Sequence, residues 1–230
     1  MSEVSLEEFL KPISRAVGHE GVPKAVSELD ISDEPHFGEG AGQDGTALLE
    51  TFLAEAANRG IHATCCSADD AASAVCALAR ELGAGSVVCA DDAAADELGV
   101  SAALAQAGLA VTRWDASRPE ESTAAAADAA VGISFPEVAI ADSATVAQAC
   151  DERCGRAVAL LPEAYIAVIR QSALVPYMVQ AMSRLEELYP DGLPSHVAFV
   201  TGPSSTADIE LVNVVGVHGP LATGVVVVEG

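Results

Sequence analysis

Aromatic side chains are scarce in this chain, at 4% of 230 residues, with one tryptophan. The apolar content is mostly Ala, Val and Leu, which suits close packing of helices on a sheet rather than an aromatic-lined cavity. Positive charge is scarce too. Eleven Lys and Arg stand against 34 Asp and Glu, a formal net charge of −23. Such a surface repels phosphate backbones, which excludes general nucleic-acid binding, and it disfavours anionic membranes for the same reason. No run reaches the ~18 uninterrupted apolar residues of a membrane span. The start, MSEVSLEEFLKP, is acidic and amphipathic and lacks the apolar centre of a secretory signal. The expectation is a cytoplasmic protein whose six cysteines are reduced thiols.

Cofactor motifs are missing as well. No GxGxxG follows a strand; GEGAGQDG is Gly-rich but has the wrong spacing and no strand before it, so a dinucleotide site is not expected. There is no Walker A. Iron–sulfur ligation wants runs such as CxxCxxC. Here Cys150 and Cys154 form a lone pair, and Cys65, Cys66, Cys76 and Cys89 sit inside strand or helix patterns, where small buried thiols are the plain reading. His19, His36 and His62 make no metal motif. No metal and no resident cofactor is expected. With so few cations, a small anionic substrate would need one of the arginines or a helix N-terminus.

What is present is a regular alternation. Residues Ser5 to Val17 have helical spacing, and a polar, Gly-rich stretch from Asp33 to Gly45 reads as a flexible connection. This divides the chain into an N-terminal helical arm with its linker, residues 1–45, and an α/β domain, residues 46–230. From Thr46 onward, short apolar strands (IHATCC, SVVCA, LAVTRW) alternate with helices that end at Gly60 and Gly83. The helical DDAAADELGVSAALAQAG contains Gly99 and reads as two short helices. In the second half, VGIS, EVAIADSATVAQA, RAVALLP and AYIAVIR read as closely spaced β runs, VPYMVQAMSRLEELYP as a helix, and SHVAFVTG, IELVNVVGV and TGVVVVEG as the last strands. The fold class is α/β: an open, mostly parallel sheet flanked by helices, its parallel part first and mixed strands added later.

One stretch concentrates chemistry. FVTGPSSTADIE runs from Phe199 to Glu210 and puts a Gly-Pro turn and several hydroxyls behind a strand. Ser205 followed by Asp208 has the form of a capping box, worth ~1 kcal/mol to a helix start. The same geometry makes an anion site, with Ser204, Ser205 and Thr206 adding hydroxyls beyond a strand's carboxyl end. From the residues alone the two readings stand level. His218, bent between Gly216 and Gly219-Pro220, suits proton transfer near neutral pH.

VGISFPEVAIADSATVAQA, LLPEAYIAVI and LPSHVAFVTGPSSTADIELVNVVGVHGP follow one another as in the LutC/YkgG lactate-utilisation family, the LUD domain. The likeness is specific over about residues 131–220 and holds only by pattern before that. The resemblance implies a fold similar to the NagB/RpiA/CoA-transferase group. It also implies a part in oxidising L-lactate, or a related 2-hydroxy acid, to pyruvate, with the iron–sulfur clusters on partner subunits and none in this chain. Carried onto this sequence, it implies ligand binding by Thr201, Gly202, Pro203, Ser204, Ser205, Thr206, Asp142, Thr145 and Gly219, and catalytic parts for His218 and Asp208. Two places depart from the family pattern. The usual Glu-Thr-Gly-Thr/Ser is here Asp142-Ser143-Ala144-Thr145, and the charged turn usual after GVHGP is here Leu221-Ala222-Thr223-Gly224. Whether this chain is itself catalytic stays open at this point. A stand-alone sugar-phosphate isomerase or CoA-transferase-type enzyme, and a non-catalytic assembly module, are the competing readings.

Overall fold

A computed structural model describes residues 6–16, 44–207, 213–215 and 219–229. The chain forms two compact units, Met1–Phe37 and Gly38–Gly230. In the first, α1 spans Leu6–Ala16 with Pro12 inside it.

The second unit begins with α2 (Gly45–Asn58), capped by Asp44, whose carboxylate accepts from the Ala47 amide at 2.8 Å. Strand β1 (His62–Cys66) leads through α3 (Ala71–Glu81) to β2 (Ser86–Cys89). Two short helices, α4 (Ala93–Glu97) and α5 (Val100–Gln106), are separated by Gly99 at φ 65°. That left-handed backbone is the reason one helical run becomes two. Then come β3 (Ala110–Arg113), α6 (Pro119–Asp128) and β4 (Val131–Ser134). A hairpin of β5 (Val138–Ile140) and β6 (Thr145–Cys150) precedes the one-turn α7 (Ala157–Leu160). The chain continues through β7 (Ala164–Arg170), β8 (Leu174–Val175), α8 (Met178–Leu188), β9 (His196–Val200), β10 (Ser205–Ala207), β11 (Asn213–Val215) and β12 (Ala222–Val228).

The main sheet is parallel throughout, in the order β1-β12-β7-β4-β2-β3. A mixed sheet runs β8-β5-β6-β9, and β10 pairs with β11. This bears out the open, mostly parallel α/β architecture but corrects its assembly. Strands β7 and β12, from the second half, lie inside the parallel sheet, and the mixed strands are inserted between its parts. RAVALLP is not a strand: α7 occupies it, and its apolar turn packs against β4.

Both faces of the central strands β12, β7, β4 and β2 are buried, which explains their continuous apolar runs, while the edge strands β1 and β3 are partly exposed. Alternation along β7 sends Ala164, Ile166 and Val168 into one cluster with Val75 and Leu104, and Tyr165, Ala167 and Ile169 into another with Leu48 and Phe52. The second cluster also takes Ala139 and Val146 from the mixed sheet, while Val138, Ile140 and Ala147 face α8 through Ala181 and Leu185. Tyr165 is fully buried. Its hydroxyl shares a 2.6 Å hydrogen bond with Ser134 and titrates well above the ordinary phenol because burial disfavours the phenolate. All six cysteines are free thiols, and burial pushes Cys89 up to about 11. No helix among the described residues is long and apolar enough to cross a membrane.

Candidate functional site

The family-like turn is built where β6 begins beside the end of β9. Antiparallel register pairs Val146 with Val200, which sets Thr145 beside Thr201. Their hydroxyls are 2.6 Å apart, and Ser143 lies 2.7 Å from Thr145 Oγ1. Three hydroxyls thus form a continuous row, each able to donate and accept. Thr145 at the centre is buried, Ser143 half-buried and Thr201 exposed, so the row reaches the surface at its Thr201 end.

Gly202 follows at φ 70°, a conformation that favours glycine. It packs against the end of α2: an added Cβ would stand 3.4 Å from the Arg59 carbonyl oxygen and 3.5 Å from Ile61. The chain then passes Pro203 to Ser204, whose amide donates to the Pro220 carbonyl at 2.9 Å. Gly219 lies against the same residue; a Cβ there would be 3.3 Å from Ser204 Cβ. TGPSS and the end of GVHGP therefore meet at Ser204. Ser205 and Thr206 belong to β10, opposite Val215 and Val214. The capping-box reading fails on this point, since a strand and not a helix begins at Ser205. Asp208 and His218 lie outside the described residues.

Asp142 sits at the tip of the β5–β6 turn, exposed, with its amide 3.2 Å from the Pro176 carbonyl. It shares this turn with Ser143 and Thr145 but makes no bond to Thr201 among the described residues. Ala144 in the same turn has φ 47° while 1% exposed. This is the position where the related pattern has glycine. The left-handed conformation costs an alanine ~1 kcal/mol that glycine would not incur, partly offset by burying its methyl. Ser143 was absent from the sequence-based site. It keeps the hydroxyl of the usual threonine, and only the tertiary pairing of β6 with β9 shows what that hydroxyl touches.

The turn is not beyond the carboxyl ends of the parallel strands, where the sequence reading set it. Its neighbours Ile61, Thr223 and Gly224 mark the amino ends of β1 and β12. The space beneath the turn, about 10 Å³, is too small for an organic acid. A ligand here would sit on the outer side, against Thr201 and Ser205. The carboxyl edge instead carries a larger cleft of about 310 Å³ that the sequence reading missed. Its signal was present in the short roster of basic residues, since Arg170 and Arg184 both line it.

The hydroxyl row carries a direct expectation. Thr145→Val keeps the shape and removes the central hydroxyl, so stability should fall by about 1 kcal/mol, while Thr145→Ser should keep most of it. Urea unfolding checks this, and a valine variant as stable as the parent would show that the row contributes nothing to the fold.

The described residues, which include all six cysteines, contain no group of three or more His, Cys, Asp and Glu placed to hold a metal ion. The geometry thus presents an α/β protein with a hydroxyl-rich turn at one edge of its parallel sheet and a charged cleft at the other. The LUD domain family profile matches residues 49–228, and the chain belongs to this family. It is 34% identical to Lactate utilization protein C of Bacillus velezensis, over 97% of this chain and 95% of that one. The Bacillus subtilis protein of the same name is 31% identical over the same shares. The uncharacterized protein YkgG of Escherichia coli is 38% identical over 69% of each chain. Among solved structures, a DUF162 family protein from Deinococcus radiodurans shares the fold, with TM-score 0.59 and 22% identity over 82% of this chain and 99% of that one.

Proposed function

We propose that this chain is a lactate-utilisation protein C-like subunit, acting in the oxidation of L-lactate or a related 2-hydroxy acid to pyruvate. Similarity over nearly the whole length to proteins named for lactate utilisation carries the reading. The meeting of Ser204 with Gly219 and Pro220 supports it, because it joins the two halves of the family-like signature at one place.

In this reading the hydroxyls of Thr201, Ser204, Ser205 and Thr206, with the backbone at Gly202, Pro203 and Gly219, hold the carboxylate and hydroxyl of the acid. Asp142 and Thr145 shape the floor of that place. His218 takes the hydroxyl proton, and Asp208 orients the histidine or the substrate. Iron–sulfur clusters on partner subunits supply the electron acceptor. The cytoplasm is the proposed setting, and the NagB/RpiA/CoA-transferase group is the proposed wider fold relationship.

Isothermal titration of the chain with L-lactate, with pyruvate and with the partner subunits tests the reading. Heat of binding with a partner subunit and with at least one of the acids is the expected result. No binding to any of them would overturn it.

A further inference from the structure

The cleft at the carboxyl edge of the parallel sheet has no part in the reading above. It lies at a reversal of strand order. After β2 the chain moves outward to β3, and after β4 it moves inward to β7 and β12. The loops after β2 and β4 therefore leave in opposite directions and open a crevice, the place where open α/β sheets bind ligands. Asp92 and the start of α4 after β2 and residues 135–137 after β4 line it, and α8 closes the far side through Arg184 and Leu188. Its floor is apolar: Leu98, Phe135, Val168 and Val228. Its volume of about 310 Å³ lies within the ~300–1,000 Å³ range of small-molecule clefts.

The charges sort into fixed and exchangeable sets. Arg153 ties one wall together, donating to Asp151 at 2.8 Å and reaching Asp92 at 3.3 Å, Glu137 at 3.5 Å and the Tyr189 hydroxyl at 3.4 Å. Burial and the nearby Glu137 push Tyr189 up to about 12, so the hydroxyl stays protonated and donates to that carboxylate. Asp92 is further committed, since its carboxylate caps the Ala94 amide at 2.9 Å. Arg170 and Arg184 differ. Each is about half exposed and pairs with one exposed surface carboxylate, Glu97 at 2.8 Å and Glu187 at 2.9 Å. Exposed pairs of this kind contribute little and exchange readily.

We propose that this cleft binds a small organic monocarboxylate with an apolar body, larger than lactate, whose carboxylate replaces Glu97 and Glu187 on Arg170 and Arg184. Two guanidiniums over an apolar floor match such an acid, because each forms charge-assisted bonds to carboxylate oxygens. Phosphate esters fit less well. The turn after β2, where phosphate-binding sheets offer free amides, has an amide already capped by Asp92, and the rim adds Glu97 and Glu137. A three-carbon acid would fill only a small part of a cleft of about 310 Å³. The site stands apart from the Thr201 turn, at the opposite edge of the sheet.

Hydrocinnamate is the probe, since it carries a carboxylate and an apolar ring but lacks the 2-hydroxy group that the turn would read. Its uncharged amide, hydrocinnamide, is the control ligand. Titration calorimetry on the full chain should show hydrocinnamate binding and at least about tenfold weaker binding of the amide. Arg170→Gln and Arg184→Gln should each weaken hydrocinnamate about tenfold, and their exposure leaves folding intact, which circular dichroism checks. Arg118→Gln, outside the cleft, should change nothing. The proposal is overturned if hydrocinnamate does not bind, if the amide binds equally well, or if the folded arginine variants bind it like the parent.

Discussion

Gly132→Ala is expected to destabilise the protein by at least about 3 kcal/mol, a large share of a typical 5–15 kcal/mol total. Gly132 is the second residue of β4, which lies between β2 and β7 in the parallel sheet. A Cβ there would stand 1.9 Å from the Val158 carbonyl oxygen and 3.1 Å from Pro162. The obstacle is backbone, not the end of a flexible side chain, so no rotamer change relieves it. Either α7 lifts from the sheet, exposing the buried Ala157, Val158 and Ala159, or β4 leaves its ladder with two neighbours. Gly85→Ala is the matched control, because an added Cβ there meets nothing within 4 Å. Urea unfolding of both variants decides the matter. Equal stability of the two would mean that α7 moves away from the sheet at little cost.

The second large effect concerns the proposed chemistry. If His218 takes the hydroxyl proton, His218→Gln should slow lactate-dependent reduction of an electron acceptor by the assembled subunits about 10²–10⁴-fold. The KM should move much less if, as proposed, the hydroxyls of the turn rather than the imidazole hold the acid. Asp208→Asn should lower the rate less steeply if Asp208 only orients. Undiminished rates in both variants, with the subunits still assembling, would make this chain a scaffold within the complex.

Gly132 lies in VGIS, within the segment that resembles the lactate-utilisation family, yet its surroundings give it a packing role. The hydroxyls of Ser143, Thr145 and Thr201 show the converse. Two were legible as candidates from the same resemblance, and the third joined them only through the β6–β9 register. Four apolar residues of α7 are too few to separate helical from strand periodicity, which is why RAVALLP read as β. Ser205 read as a helix cap because hydroxyl and acid residues at that spacing serve both caps and hairpin strands. Pairing with β11 decides between them, and that partner lies beyond the local window.

Local chemistry was enough to determine the alternation of elements, the stops at Gly60, Gly83 and Gly99, and the buried character of the parallel strands. These depend on backbone freedom and on apolar spacing over a few residues. The order β1-β12-β7-β4-β2-β3 is different in kind. It joins strands as far apart as His62 and Gly224, so no short window contains both partners. That order places the Thr201 turn at the amino edge and opens the Arg170–Arg184 cleft at the carboxyl edge. Residue types carried the list of candidate groups; only long-range strand pairing decided which of them share a site.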